Sequence, residues 1–157
     1  MEWGVYKVVL CGLDELRPRE LYDMLKMRVD VFVVEQKCPY PELDGKDADA
    51  LHLRLMDGAT LVASARIRKP ATDDHAARIG RVVVSPEHRG KRLGERLMVE
   101  AIAQCERLYS ECPIELSAQS HLKGFYESFG FIPVSEEYLE DDIPHIDMQR
   151  PAAVATD

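Results

Sequence analysis

The feature of this sequence that most constrains its fold is a strand that runs into a long helix through a turn rich in glycine and basic residues. The strand is predicted over residues 79–84, because three consecutive valines suit a strand buried on both faces: Val82, Val83 and Val84. Pro86 ends this strand, and a helix is predicted over residues 89–108 from apolar residues at every third or fourth position. A strand, a turn and a long helix in this order predict a sheet covered by helices.

The rest of the chain predicts a mixed α/β sheet. Further helices are predicted over residues 18–34 and 122–129, the second closed by Gly130 as its C-cap. Residues 37–50 are polar and contain two prolines and a glycine, so they predict a loop. Strands are predicted in six further segments: residues 3–10, 51–56, 61–68, 114–117, 131–134 and 143–148. This succession of elements is too short for a full doubly wound dinucleotide-binding domain.

Size and charge restrict the class of protein. The 157 residues predict one domain over residues 1–150, followed by a frayed tail over residues 151–157. The formal net charge of −8 argues against nucleic-acid binding, because an acidic surface repels phosphate backbones. No apolar stretch approaches the roughly 20 residues of a membrane helix, and the N-terminus lacks the basic start of a signal peptide. We therefore expect a cytoplasmic protein that binds no membrane.

The cysteines and histidines predict neither a disulfide framework nor a metal site. The four cysteines contain no C-x-x-C pair, so we expect free thiols. The five histidines lack any compact ligand spacing, so no metal is expected.

Basic residues crowd the turn before the long helix. Arg89, Lys91 and Arg92 lie where the helix dipole disfavours positive charge, and Gly90 and Gly94 let a ligand approach the backbone closely. A bound anion explains cations in that place, and a phosphate or pyrophosphate is the natural candidate. A solvated basic helix start stays open as the other interpretation. The spacing matches neither a Walker A loop nor a dinucleotide fingerprint.

Two motifs resemble the GNAT superfamily of acyl-CoA-dependent N-acyltransferases. Motif A of that family is [QR]-x-x-G-x-[GA]; Arg89 matches its first position and Gly94 its last, whereas Arg92 stands where the family has glycine. Motif B is Y-x-x-x-G-F, which residues 126–131 match from Tyr126 onwards. The two motifs together are far more specific than either alone.

Further stretches are similar to the ElaA-like branch of this superfamily, namely residues 25–47, 118–122 and 142–145. The resemblance implies a single α/β domain with a mixed, mostly antiparallel, twisted sheet flanked by helices. It also implies acetyl-CoA as co-substrate, without a metal. The residues that it assigns to acetyl-CoA binding are Val82, Val83, Val84, Arg89, Gly90, Lys91, Arg92, Leu93, Gly94 and Tyr126.

Arg28 lies on the apolar stripe of the first predicted helix, and it is relevant to where the acceptor substrate binds. A buried arginine needs an anionic partner, and Glu35, Asp44 and Asp47 are the available carboxylates. One interpretation is an ion pair that pins the following loop to the helix; the other is a polar acceptor pocket. For that pocket we predict Arg28, Glu35, Asp44 and His145 as substrate-binding residues. The R-x-x-V-F pattern with acidic residues after it also resembles acyl-homoserine lactone synthases.

The resemblance predicts direct transfer of an acetyl group to an amine of a small molecule or peptide, in a ternary complex. In the family, the tyrosine of motif B lies near the thioester sulfur and commonly serves as general acid, so Tyr126 is the candidate acid. The candidate bases are Glu35, His121 and His145. Transfer of a longer acyl chain and a non-catalytic acyl-CoA sensor stay open as alternative functions, and a homodimer stays open as the quaternary state.

Overall fold

The strands of the protein form one mixed sheet. The computed structural model describes residues 2–72 and 75–152. The strands in that part of the chain are β1 (Lys7–Gly12), β2 (Leu51–Asp57), β3 (Thr60–Arg68), β4 (Ala77–Val84), β5 (Ile114–Gln119), β6 (Ile132–Pro133), β7 (Tyr138–Glu140) and β8 (Ile143–Arg150). They pair in the order β1-β2-β3-β4-β5-β8-β6, with β7 also paired to β8. Every pair is antiparallel except β4–β5, which confirms the predicted mixed, mostly antiparallel sheet.

Helices cover the two faces of this sheet. The α-helices of the described residues are α1 (Pro18–Arg28), α2 (Leu93–Leu108) and α3 (Lys123–Glu127). Met27 of α1 packs against Val83 in a small cluster of its own. Leu97 and Met98 of α2 belong instead to the main core, with the inward side chains of β2, β3 and β4. Helix α2 is also the crossover that makes β4 and β5 parallel.

The ends of the chain differ from the prediction. The first strand begins at Lys7, because Glu2–Val5 form a single 3₁₀ turn. Arg96 holds that turn in place: its Nη1 donates to the Trp3 carbonyl at 2.6 Å, and its guanidinium lies 5.7 Å from the Trp3 ring centre. Strand β7 was not predicted. The predicted frayed tail lies outside the described residues from residue 153 onwards.

The helix predicted over residues 18–34 is present but changes type. Pro18 begins α1, and Glu20 Oε1 accepts a hydrogen bond from the Arg17 amide at 2.8 Å. After Arg28 the chain continues as a wider π-helix, Val29–Glu35. Four of its seven residues are valines, whose β-branched side chains crowd a regular helix. Such π-helical turns are frequent at functional sites.

The long helix begins later than predicted. Pro86–His88 form a 3₁₀ turn, and α2 starts only at Leu93. The glycine-rich turn therefore precedes the helix: Gly90 has φ +85° and Arg92 has φ +60°, both in the left-handed region that interrupts a right-handed helix. The predicted apolar stripe is buried up to Cys105, while Leu108 is 38% exposed.

The three valines of β4 are not all buried on both faces, which corrects the prediction. Val83 is buried, but Val82 and Val84 are half-buried. Strand β5 pairs with β4 only at Ala77↔Ile114 and Arg78↔Glu115 within the described residues, and the two strands then diverge. The backbone of β4 beyond Arg78 is thus left without a strand partner on that side. A bulge also interrupts the β3–β4 register opposite Ser64–Arg66.

Buried ion pairs hold the loop over residues 37–50 against this sheet. Glu42 lies at their centre; it accepts hydrogen bonds from Arg28 Nε at 2.7 Å and Arg81 Nε at 2.8 Å. Its second oxygen, Oε1, accepts the Tyr40 hydroxyl at 2.5 Å. The Arg28 and Glu42 side chains are only 1% and 2% exposed. These charges are therefore removed from water, and their mutual pairing compensates the loss of solvation.

Two aspartates complete the set. Asp47 accepts hydrogen bonds from Arg28 Nη1 at 2.8 Å and from Arg66 Nη1 at 3.2 Å. Asp44 accepts hydrogen bonds from both Nη atoms of Arg66, at 2.9 Å each. Burial alone would raise the pKa values of the two carboxyls, but the hydrogen bonds and charges of the arginines hold both below their usual range. We call these residues the ionic cluster: Arg28, Arg66, Arg81, Glu42, Asp44 and Asp47.

Arg28→Met should destabilise the protein by about 3–5 kcal/mol, because it leaves Glu42 and Asp47 buried with less positive charge. Lys26→Met on the same helix is the matched control: its pair with Asp30 is exposed, so stability should change little. Urea unfolding of both variants measures the difference. Equal midpoints would show that the ionic cluster does not stabilise the fold.

Candidate active site

A cleft of about 1010 Å³ opens where β5 diverges from β4. The π-helical segment and the loop over residues 37–50 form one wall, and β5, β8 and the start of α3 form the other. The structure brings nine of the predicted site residues into its lining: Glu35, Asp44, Val82, Val83, Val84, Arg89, His121, Tyr126 and His145.

The remaining predicted residues of the acetyl-CoA site continue from Arg89 into the start of α2. Residues 90–92 are exposed, and the Leu93 side chain is buried in the core. A Cβ atom on Gly94 would lie 3.9 Å from Val84 Cγ2. The first turn of α2 therefore packs directly against the end of β4, but residues 90–94 are not among the residues that line the cleft.

Arg28 does not reach the cleft. It is 1% exposed, and its guanidinium contacts Glu42 and Asp47 of the ionic cluster. Of the two interpretations, these contacts agree with the ion pair that pins the loop to the helix. Asp47 is confirmed as a partner, Glu42 was not foreseen, and Glu35 pairs elsewhere.

Tyr126 enters the cleft from the core side of the sheet. Its ring is 7% exposed and packs edge-to-face on Phe125 at 5.1 Å and Phe131 at 6.2 Å between ring centres. Among residues 2–72 and 75–152, nothing hydrogen bonds to its hydroxyl, so that group is available to a bound molecule. Burial raises the pKa of Tyr126 to about 12, which keeps the hydroxyl protonated at neutral pH.

The two candidate histidines differ in how they are held. His145 is 8% exposed, and its Nδ1 lies 2.7 Å from the Ile143 carbonyl. Because a carbonyl only accepts, Nδ1 carries the proton of the neutral ring and Nε2 carries the lone pair. Glu140 Oε2 lies 3.4 Å from that Nε2. His121 lines the same cleft but is exposed.

Glu35 and Arg89 bind each other across the mouth of the cleft. Arg89 Nη1 lies 2.8 Å from Glu35 Oε1. The Glu35 side chain is 43% exposed and the Arg89 side chain is 46% exposed. This pair links the π-helical segment to the turn before α2. In this arrangement the carboxylate neutralises the arginine that an anionic ligand would otherwise use.

Several cleft residues escaped the sequence analysis. Arg66 and Arg68 project from β3, and Arg81 projects from β4. The arginines left a signal: charged residues inside predicted sheet strands are rarely buried without partners, so their partners had to be nearby. The sequence gives no signal for which carboxylate pairs with which arginine, because the partners are up to 39 residues apart.

No group of three or more histidine, cysteine, aspartate or glutamate side chains within residues 2–72 and 75–152 is arranged to hold a metal ion. No helix in that part of the chain is long and apolar enough to cross a bilayer.

Comparison with known proteins places this geometry in a family. The acetyltransferase (GNAT) domain family matches residues 20–151. The chain belongs to the GNAT acetyltransferase family. Protein ElaA of Escherichia coli (strain K12) is 47% identical over 139 residues, which are 87% of this chain and 91% of ElaA. The predicted membership of the ElaA-like branch of GNAT proteins is thereby confirmed.

Solved GNAT structures confirm the fold. An acyl-CoA N-acyltransferase from Pseudomonas aeruginosa has a TM-score of 0.88 and 45% identity, covering 92% of this chain and 99% of its own. A CoA-dependent acyl-homoserine lactone synthase has a TM-score of 0.76 at 16% identity, covering 92% of this chain and 82% of its own, and so shares the fold. The GNAT family uses acyl-CoA as co-substrate and amines as acceptors.

The departure of this chain from GNAT motif A has a structural counterpart. Arg92 occupies the family's glycine position and adopts φ +60° and ψ +29°, a left-handed conformation that glycine adopts without strain. Its guanidinium pairs with Glu95 in the first turn of α2, at 2.6 Å. The backbone thus keeps the conformation that glycine allows, and the added side chain points along the helix.

The Glu35–Arg89 pair yields a prediction. Glu35→Gln should tighten CoA binding by up to about fivefold, because a half-exposed ion pair that competes for Arg89 contributes at most about 1 kcal/mol. Titration calorimetry with CoA measures this, and Glu100→Gln, which breaks a similar pair with Arg96 farther along α2, is the control. Weaker CoA binding by Glu35→Gln would show that Glu35 does not compete with the ligand.

Proposed function

We propose that this protein transfers the acetyl group of acetyl-CoA directly to an amine of a small molecule or peptide, within a ternary complex. The observation that carries the proposal is the free hydroxyl of Tyr126, which enters a cleft that also ends at a basic, glycine-containing turn. A ligand that carries both a thioester and phosphate groups could place the thioester at the Tyr126 hydroxyl and the phosphates at the basic turn of the same groove. Acyl-CoA-dependent N-acyl transfer is the general activity of the family.

Acetyl-CoA is proposed to lie along the diverging end of β4. The backbone beside Val82, Val83 and Val84 has no strand partner on the β5 side, so its amide and carbonyl groups can pair with the pantetheine. The phosphates are assigned to the turn from Arg89 to Gly94, where Gly90 lets oxygen atoms approach the backbone. Arg89 then exchanges Glu35 for a phosphate.

The reaction forms a C–N bond and breaks a C–S bond. The neutral amine attacks the thioester carbonyl carbon, and the CoA sulfur leaves as a thiolate. Tyr126 is proposed to donate its hydroxyl proton to that sulfur; its raised pKa keeps the proton in place until the sulfur gains charge. Its buried, edge-to-face packing fixes the direction of the hydroxyl.

The proton of the attacking amine is assigned to His145, directly or through water. Of the three candidates, His145 alone is both buried and fixed in one tautomer by the Ile143 carbonyl. Glu35 is committed to Arg89, and His121 is exposed.

Direct transfer, rather than transfer through an acylated cysteine, is supported by the state of Cys38. This is the cysteine of the cleft lining, and it is buried with its Sγ 3.4 Å from the Asp141 carbonyl. Burial first, and then the carboxylates of Asp141 and Asp142, raise the pKa of the thiol. A protonated thiol is a poor nucleophile, so the amine is proposed to attack the thioester itself.

The test is release of CoA from acetyl-CoA by the purified protein, with pooled amines, polyamines and peptides as acceptors. Acetyl-CoA should support turnover better than hexanoyl-CoA and octanoyl-CoA. A preference for the longer chains would favour the synthase-like alternative. Binding of acetyl-CoA without turnover for any acceptor would favour the sensor.

Tyr126→Phe should lower kcat by about 10²-fold and leave KM for acetyl-CoA nearly unchanged, because the ring keeps its packing while the proton donor is lost. With the pKa of Tyr126 at about 12, the wild type should keep this donor throughout pH 7–10, so the variant should lose activity equally across that range. Full activity of Tyr126→Phe would remove the hydroxyl from the mechanism.

The variants His145→Gln and His121→Gln test which of the two histidines is the general base. A general base is typically worth 10²–10⁴-fold, so His145→Gln should lower kcat by about that factor. His121→Gln should change kcat by less than about threefold. The reverse result would assign the base to His121.

A further inference from the structure

The floor of the cleft contains an arginine that no described carboxylate neutralises. Arg68 is the last residue of β3, is half-buried and lines the cleft. It stands directly opposite Arg78 of β4 in the antiparallel register. Arg78 has Glu115 of β5 at 3.1 Å, whereas no carboxylate of residues 2–72 and 75–152 lies within ion-pair distance of Arg68.

The other arginines of the cleft are paired. Arg66 and Arg81 are neutralised within the ionic cluster, and Arg89 is neutralised by Glu35. Lys46 also lines the cleft, and its amide bonds to the Asp44 carboxylate that pairs with Arg66 of β3. Its ammonium has no ion pair within the described residues. Uncompensated positive charge is therefore concentrated at the β3–β4 end of the cleft.

The opposite end carries the opposite charge. Glu140 and Asp141 line the cleft beside His145, and no arginine or lysine of the described residues pairs with them. A ligand that bears one positive and one negative group would be oriented along this gradient, with its negative group towards Arg68.

Like charges placed directly opposite each other on antiparallel strands destabilise a sheet. Glu115 compensates the charge of Arg78 but not that of Arg68, so an anion bound at Arg68 would relieve the repulsion that remains. We propose that Arg68, together with Arg78 and Lys46, binds a carboxylate of the acceptor, so that the acceptor is a small amine that also carries a carboxylate. This inference rests on the proposed function and names the substrate class of the same site.

Distances along the sheet agree with this class of acceptor. Arg78 precedes Gly80 by two residues, about 7 Å along a strand. With the pantetheine beside residues 82–84, the thioester is proposed to lie near Gly80, at the start of the diverging part of β4. An arginine side chain covers much of that distance. The planar guanidinium suits a two-point contact with a carboxylate. An amino acid, or the C-terminal residue of a short peptide, is of the right size.

The experiment compares acceptors that differ only in charge. CoA release from acetyl-CoA is measured with amino acids and their amides, with β-alanine and β-alaninamide, and with O-phosphoethanolamine and ethanolamine. The variants are Arg68→Gln, Arg68→Lys and the control Arg107→Gln, which changes an exposed arginine of α2 that bonds to Gln104.

The carboxylate forms should have the higher kcat/KM. Arg68→Gln should lower kcat/KM for them by about 10- to 100-fold, with no change for the amides or in KM for acetyl-CoA. The kcat/KM of Arg68→Lys for the carboxylate acceptors should lie between those of the wild type and Arg68→Gln. Arg107→Gln should have the kcat/KM of the wild type. The melting temperature of ligand-free Arg68→Gln should stay unchanged or rise by about 1–3 °C, since repulsion from Arg78 is relieved.

Equal use of amides and carboxylates, or an equal effect of Arg68→Gln on both, would overturn the inference. Turnover of O-phosphoethanolamine alone would replace the carboxylate by a phosphate and also overturn it. If no amine is acetylated, the proposed function fails, and thermal shifts of the CoA-saturated protein with N-acetylglycine and N-acetylglycinamide decide the anion site separately. Only the first should raise the melting temperature, and Arg68→Gln should abolish that rise.

Discussion

The ionic cluster is the interaction on which the shape of this protein depends. Three arginines from α1, β3 and β4 meet three carboxylates of one loop: Arg28, Arg66, Arg81, Glu42, Asp44 and Asp47. Their formal charges sum to zero, and Arg28 and Glu42 are almost completely excluded from water. Residues 37–50 contain little that could pack into a core, so these charge pairs replace apolar burial in fixing the loop.

The same cluster reaches the centre of the cleft. Arg81 occupies the bulge of β4 with φ +51°, a conformation that costs energy for any residue but glycine, and its guanidinium is held by Glu42 and lies over the Tyr40 ring. The bulge and the divergence of β5 lie next to each other on β4. The loop, the bulge and the gap in the sheet are thus joined by one set of contacts, and they define where a thioester can enter.

Opposite sides of the sheet contribute different groups to the cleft. Tyr126 comes from the core side with its hydroxyl free, and His145 comes from β8 with its tautomer fixed by the Ile143 carbonyl. Charge is distributed unevenly along the cleft, positive near Arg68 and negative near Glu140. This asymmetry has no role in holding the chain together, and it is the property by which the cleft would select and orient an acceptor.

The sequence by itself determined the local elements and the motifs of the acyl-CoA side. Periodicity located α1, α2 and most strands, and the glycines and basic residues around Arg89 located the turn, because those properties depend on neighbours a few residues apart. It also showed that Arg28 needed an anion. Only the tertiary structure decided that Glu42 supplies it, that Glu35 binds Arg89 instead, and that β5 leaves β4 after Arg78. Partners 14 to 54 residues apart are chosen by strand register and loop packing, which no local pattern encodes.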